Sequence, residues 1–183
     1  FQTMRCCEQI KVNLGYMNQK VCMVGIASGL ALGTLGYTHC CIEDIGVLRS
    51  MPGITIISPA DSLETVKTLQ AAINYSGPTY IRLTGKSNNP IVNKTDYNFE
   101  IGKGKIIVEG KDLTIFAIGV EVHRAIDASN KLKLDGIEAR VVNLSTLKPI
   151  DVELINKCVK ETGCLVTAED HNILGGLGGA VSE

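Results

Sequence analysis

Residues 33–44, GTLGYTHCCIED, gather the side chains of this sequence that could do chemistry: His39, the adjacent pair Cys40 and Cys41, and the acidic pair Glu43 and Asp44. Three chemistries use such residues. Metal ligation is disfavoured, because His39, Cys40 and Cys41 are too close along the chain for all three to occupy corners of one tetrahedron. Glu43 and Asp44 fall at a helix start, where the helix dipole alone accounts for acidic residues. A Cys–His nucleophile is disfavoured as well, since neighbours in sequence do not supply the geometry of a thiol and its base. The third is a glycine-shaped loop that carries a histidine into a cofactor cleft. Gly33 and Gly36 permit positive φ and close approach of backbone to a ligand. His39 would then stand before a helix, able to donate to or accept from a polarised oxygen. A histidine satisfied within the fold explains the spacing equally well.

The elements around this stretch read as alternating helices and strands. Residues 5–17 carry helix formers, and 20–25 reads as a short buried strand leading into the glycine-rich stretch 25–36. Residues 40–50 place Ile42, Ile45 and Leu48 at helical spacing. Residues 54–57 form an apolar strand after the Pro52-Gly53 turn. Asp61 followed by Glu64 fits a helix cap, and that helix is expected to bury Leu63, Val66, Leu69 and Ile73. Residues 79–83 are the next strand. The polar run 84–100, TGKSNNPIVNKTDYNFE, reads as a linker. A second series follows: strands at 113–118, 137–142 and 164–167, a helix over 121–134 with Val122, Ala125, Ile126 and Leu132 inward, and an Asp151-capped helix with Val152, Ile155 and Val159 inward. A last helix follows the glycines at 175–179. Apolar strands alternating with helices predict an α/β fold of two successive domains, each a mainly parallel sheet covered by helices. The predicted domains are 1–85 and 101–183, with 86–100 between them, and ligands are expected beyond the carboxyl ends of the strands.

Composition narrows the function classes. The net charge is −1 from 18 Lys and Arg against 19 Asp and Glu, which argues against a nucleic-acid-binding face. No apolar run approaches the roughly 18 residues of a membrane span, and FQTMRCCEQI is not a signal peptide. Both ends read as cut within longer elements. The seven cysteines, Cys6, Cys7, Cys22, Cys40, Cys41, Cys158 and Cys164, are odd in number and form no C-x-x-C. They read as free thiols of a cytoplasmic protein and as packing residues rather than zinc ligands.

Four motifs in order resemble one family. FQTMRCCEQI resembles F-x-x-x-R-x-x-[DE]-Q-I. GTLGYTH, with its acidic pair and then LRSMPGITIISPAD, resembles the loop of the transketolase pyrimidine-binding domain. GPTYIRL resembles the strand before that family's linker, and TAEDHNILGGLGGAVSE resembles the E-x-H-x-x-x-G-G-L-G run of its C-terminal domain. The likeness is nearest to split transketolases and deoxyxylulose-phosphate synthase. It implies a thiamine-diphosphate-dependent transferase that moves a two-carbon ketol unit to an aldehyde. It implies further that Phe1 packs on the cofactor's pyrimidine, that His39 is catalytic and bonds substrate oxygen, and that Arg82 binds a substrate phosphate. The diphosphate and Mg²⁺ would be held by a separate domain or N-terminal section. The assembly would be a homodimer or heterotetramer, and the substrate a sugar phosphate or related molecule. The family's pyrimidine-activating glutamate would lie upstream of Phe1, and Glu8 is not its equivalent. His171 would be structural or interfacial, and His123, outside any motif, is expected to be exposed.

The sequence departs from the family in the loop. Thr34 and Leu35 replace its Glu-Asp, Ala27 a histidine, Tyr37 a proline and Cys40 a glutamine, so two polar substrate contacts become apolar and the substrate does not carry over. The alternatives are a non-catalytic assembly subunit or degenerate paralogue, or an enzyme of the deoxyxylulose-phosphate synthase or 2-oxo acid dehydrogenase β type.

Overall fold

Apolar β-branched runs become strands and Asp-capped runs become helices, in an order close to the expected one. The structure, a computed structural model, describes residues 1–85 and 89–183; positions 86–88 of the expected linker lie outside the described residues. The chain opens with a broken helical segment, α1 (Gln2–Arg5) and α2 (Cys7–Gln9), continuing as a π-helical stretch, Ile10–Tyr16. β1 (Cys22–Gly25), α3 (Asp44–Arg49), β2 (Thr55–Ile57), α4 (Ser62–Asn74) and β3 (Thr79–Arg82) follow. Then come β4 (Lys105–Val108), β5 (Leu113–Ala117), α5 (Glu121–Leu134), β6 (Ala139–Asn143), β7 (Thr146–Lys148), α6 (Val152–Thr162), β8 (Leu165–Ala168) and α7 (Leu177–Ser182).

Among the described residues these strands make two sheets, ordered β1-β3-β2-β7 and β4-β6-β5-β8. β1, β3 and β2 run parallel, as do β6, β5 and β8. Two strands that sequence patterning does not reveal, β4 and β7, pair antiparallel with β6 and β2. The sheets are therefore mixed and mainly parallel. β7 belongs by sequence to the second half, yet it adds to the first sheet. The core is continuous across the halves as well: Ile45, Leu48, Ile56 and Tyr80 pack in one cluster with Phe116, Ile118, Leu144 and Leu177.

Local patterning fails where burial is decided by another element. β1 is a sheet edge and largely exposed rather than buried. α4 buries Glu64, Thr68 and Ala72, while Val66, Leu69 and Ile73, expected inward, are exposed. The reason is Glu64. Its carboxylate accepts from Ala60 N at 2.6 Å, from Tyr97 Oη at 2.6 Å and from Asn143 Nδ2 at 2.9 and 3.0 Å. Satisfying a buried carboxylate with this many donors outweighs turning three aliphatic side chains inward. In α6, similarly, Ile155 and Cys158 are buried and Val152 and Val159 are exposed.

The polar run between the halves is pinned. Asp61 caps α4 through Glu64 N at 2.8 Å, and its other oxygen accepts from Val92 N at 2.9 Å and Asn93 N at 2.6 Å. Glu64 and Asp61 thus join α4, residues 92–97 and β6. We predict that Glu64→Ala, which strands the Asn143 and Tyr97 donors in a buried site, destabilises the protein by about 2–4 kcal/mol. The expected readout is a lower urea midpoint with an unchanged m value.

Candidate functional site

The parallel strands β1 and β3 end side by side at Gly25 and Arg82, and the chain from 26 to 43 folds over those ends. A cavity of about 700 Å³ lies there, bounded by α1, by the end of β1 and by the loop residues Leu32 and 37–41. β1 stops in a strained turn: Ala27 holds φ at +62°, a left-handed value costly for a residue with a Cβ.

Two of the three expected site residues meet at this cavity. Phe1 at the head of α1 and His39 both line it, their rings edge to face with centroids 6.3 Å apart and planes at 80°. The Arg5 guanidinium lies 4.6 Å from the Phe1 ring centroid, a cation–π contact. A short 3₁₀ turn, Gly33–Leu35, ends at Gly36, whose φ of +74° reverses the chain. Gly36 O then accepts from His39 N at 3.0 Å and Cys40 N at 3.1 Å, which aims the imidazole toward Phe1. His39 Nδ1 is 3.0 Å from the Thr38 hydroxyl, and Nε2 has no protein partner among the described residues.

Arg82, expected at a substrate phosphate, sits elsewhere. It is 3% exposed and does not line the cavity. Its Nε donates to Asp44 Oδ2 at 2.8 Å, and Nη2 donates to Cys41 O at 3.1 Å and Asp170 O at 2.8 Å. The fork that would clamp a phosphate is turned into the protein, so the geometry makes Arg82 a structural cation. Asp44, expected only to complement a helix dipole, is fully buried as its partner and also accepts from Tyr80 Oη at 2.7 Å. Burial, then Asp44, drives the Tyr80 phenol far above its ordinary pKa, so it stays a donor at any physiological pH.

The other reactive groups between residues 33 and 44 have structural duties. Glu43 accepts from Tyr37 Oη at 3.0 Å and from Ile42 N at 3.1 Å, and it raises the Tyr37 pKa mainly through that hydrogen bond. Burial pushes the Cys41 thiol pKa up, the reverse of what a thiolate nucleophile needs. No group of three or more His, Cys, Asp or Glu among the described residues is placed to hold a metal ion. Leu35 is 55% exposed and outside the cavity lining. The His171 side chain is buried beneath α3, with Nδ1 2.7 Å from Asn172 O and Nε2 3.4 Å from Gly46 N. His123, expected exposed, is half-buried beside a second, smaller cavity. In the glycine run, Gly175 packs on Gly46, and Glu169 accepts from Leu177 N and Gly178 N, which caps α7.

Sequence reasoning missed Tyr80, Ser28 and Asp170. Ser28 lines the cavity with a buried hydroxyl that has no partner among the described residues. Asp170 belongs to the second half, and only the fold brings it to the base of the His39 loop. No spacing rule could have found any of them.

Comparison with known proteins places both halves of the chain in one family. Residues 1–90 match the transketolase pyrimidine binding domain and residues 102–183 the transketolase C-terminal domain. The chain is 40% identical over 183 residues to an apulose-4-phosphate transketolase subunit of Phocaeicola vulgatus, covering 100% of this chain and 59% of that protein. It is 36% identical over 183 residues to the 6-deoxy-6-sulfo-D-fructose transketolase subunit SqwH of a Clostridium species, covering 100% of this chain and 56% of the other. A solved split-gene transketolase, described as an inactive beta4 tetramer, superposes with a TM-score of 0.91 at 38% identity, over 100% of this chain and 58% of that one. The chain therefore spans somewhat more than half the length of these relatives. With two family domains matched in order and a cavity at the ends of β1 and β3 that carries the motif histidine, the chain belongs to the transketolase family.

Proposed function

We propose that this chain forms the pyrimidine side of a thiamine-diphosphate-dependent transketolase, which transfers a two-carbon ketol unit from a ketose to an aldehyde. The observation that carries this reading is the Phe1–His39 pair at the mouth of the cavity. Phe1 is 73% exposed and Ile26 73% exposed, with Met4 at 47% beside them. A flat heteroaromatic ring fits such a wall, because it covers apolar surface that is otherwise wet. When bound, thiamine diphosphate supplies the electron sink on which a carbon–carbon bond beside a ketone is broken and re-formed. Phe1 and Ile26 would hold the pyrimidine end. His39 would hold or release a proton at Nε2 toward a substrate oxygen. The Thr38 hydroxyl supports both states, since it can donate to Nδ1 or accept from it.

A partner completes the reading. Mg²⁺ and the diphosphate would be held by a separate domain or N-terminal section, in a homodimer or heterotetramer. The exposed apolar residues Leu30, Leu35 and Tyr37, at 60%, 55% and 78%, support such a neighbour. So does the solved split-gene relative, which is inactive as a beta4 tetramer. The relatives named for apulose 4-phosphate and 6-deoxy-6-sulfo-fructose point to ketoses bearing an anionic end as the substrate class. No described helix is long and apolar enough to cross a membrane, and the seven free cysteines fit a reducing cytoplasm.

Three measurements test this. Calorimetry on the isolated chain should show weak thiamine diphosphate binding or none, and the complex with its partner should bind in an Mg²⁺-dependent way. Tight binding by the chain alone would sink the split-site reading. In the active complex, His39→Ala should lower kcat/KM by about two to three decades through the lost hydrogen bond to developing charge. Its melting temperature should barely change, because His39 is exposed. Arg82→Met should do the opposite. It leaves Asp44 buried and unpaired, at a cost of about 3–5 kcal/mol of stability, and it should not discriminate phosphorylated from unphosphorylated substrates. A selective rise in KM for the phosphorylated ones would return Arg82 to the phosphate site.

A further inference from the structure

The loop that carries His39 is closed at its feet. Gly29 and Cys41 exchange both backbone hydrogen bonds, Gly29 N to Cys41 O at 2.7 Å and Cys41 N to Gly29 O at 3.0 Å. Between them, residues 32–39 are exposed to water, with one 3₁₀ turn and no strand pairing. Inside the loop the Gly36 turn and the exposed Tyr37–Glu43 hydrogen bond set the local backbone at His39, and where that turn stands over the strand ends depends on what grips the feet.

The grip comes from the other half of the chain. Asp170, just past the end of β8, sets both carboxylate oxygens 3.2 Å from Leu30 N. Its own carbonyl accepts from Arg82 Nη2, the same nitrogen that donates to Cys41 O. One foot is thus held by the Asp170 side chain. The other is held by an arginine shared with the Asp170 backbone. The carboxylate also presses directly on bare backbone: Gly29 has φ +64°, and a Cβ there would stand 2.0 Å from Asp170 Oδ2. Glycine is needed at 29 both for that φ and to let the carboxylate reach Leu30 N.

We infer that Asp170 is a positioning residue for His39, so that the C-terminal half of the chain takes part in the reaction by holding the histidine loop. This rests on the reading of His39 as the substrate-facing histidine. A carboxylate–amide bond is charge-assisted and directional. Without it, a solvated loop would sample many positions, and only the fraction with His39 in register would be competent.

The test uses the full-length protein with its partner, as wild type, Asp170→Ala and Asp170→Asn. Steady-state kinetics, hydrogen exchange of the peptides spanning 29–41, and melting temperature are measured. Asp170→Ala should lower kcat/KM by about 10- to 100-fold and speed exchange over 29–41, with β5 and β6 still protected. Asp170→Asn keeps an acceptor oxygen for Leu30 N and should restore kcat/KM to within about threefold of wild type. Wild-type exchange over 29–41 in Asp170→Ala would overturn the inference. So would uniformly faster exchange in both sheets with Asn no better than Ala, the mark of a purely structural residue. If the wild-type complex has no transferase activity, the proposed function falls, and the exchange pattern still decides whether Asp170 holds the loop.

Discussion

The buried ion pair between Asp44 and Arg82 is the constraint on which the rest of the arrangement depends. Two opposite charges 2.8 Å apart, with both side chains essentially excluded from water, are tolerable only if the remaining donors and acceptors find partners. Tyr80 Oη supplies one for Asp44, and two backbone carbonyls supply others for Arg82. That requirement decides geometry. Arg82 must stand at the end of β3, Asp44 must start α3, and the chain between them must bring Cys41 O within reach. Asp44 Oδ1 keeps no hydrogen-bond partner among the described residues, with His171 Nε2 at 4.0 Å, so satisfaction of the pair is not complete. Buried charge fixes a unique packing here more plainly than it adds stability.

The same constraint explains why the two halves do not behave as beads on a string. One of the carbonyls that satisfy Arg82 belongs to Asp170, in the second half. β7 leaves that half to pair with β2, and Glu64 reaches across to Asn143 on β6. A boundary drawn at the polar run follows composition, yet hydrogen bonds and core packing cross it repeatedly. Val92 and Asn93 within the run are themselves buried. Polar sequence here marks a segment whose donors are needed by Asp61 rather than a tether.

The cavity sits where a parallel α/β sheet leaves room, past the carboxyl ends of β1 and β3. Its chemistry is asymmetric. The α1 side offers an exposed aromatic ring, and the loop side offers one histidine whose remaining nitrogen is free of the described protein. The cysteines beside it contribute bulk, and for Cys41 burial suppresses the thiolate. Reactive residue types crowd the loop, yet its two carboxylates are committed to structure: Glu43 to Tyr37 and Ile42, Asp44 to Arg82 and Tyr80.

The sequence alone determined what depends on near neighbours along the chain. The Asp61 and Asp151 caps, the span of α5, the strands β2, β3 and β5, and the glycine turn before His39 were legible because capping, periodicity and positive φ act over a few residues. The motif order carried the family, and with it the expectation of Phe1 at a cofactor ring and His39 at a substrate; that the two rings meet on one cavity came from the fold. Tertiary structure decided what depends on burial and on distant partners. The resemblance gave Arg82 to a substrate phosphate, and nothing local reveals that Asp44 waits across the fold to pair with it. Val66, Leu69 and Ile73 read as inward because a hydrophobic stripe outranks a glutamate until Asn143 and Tyr97 are in place. Asp170 carried no signal at all, since its meaning is the position of Leu30 N, 140 residues away in sequence. Local propensities act through neighbouring backbone, whereas the satisfaction of a buried charge is a property of the whole packed chain.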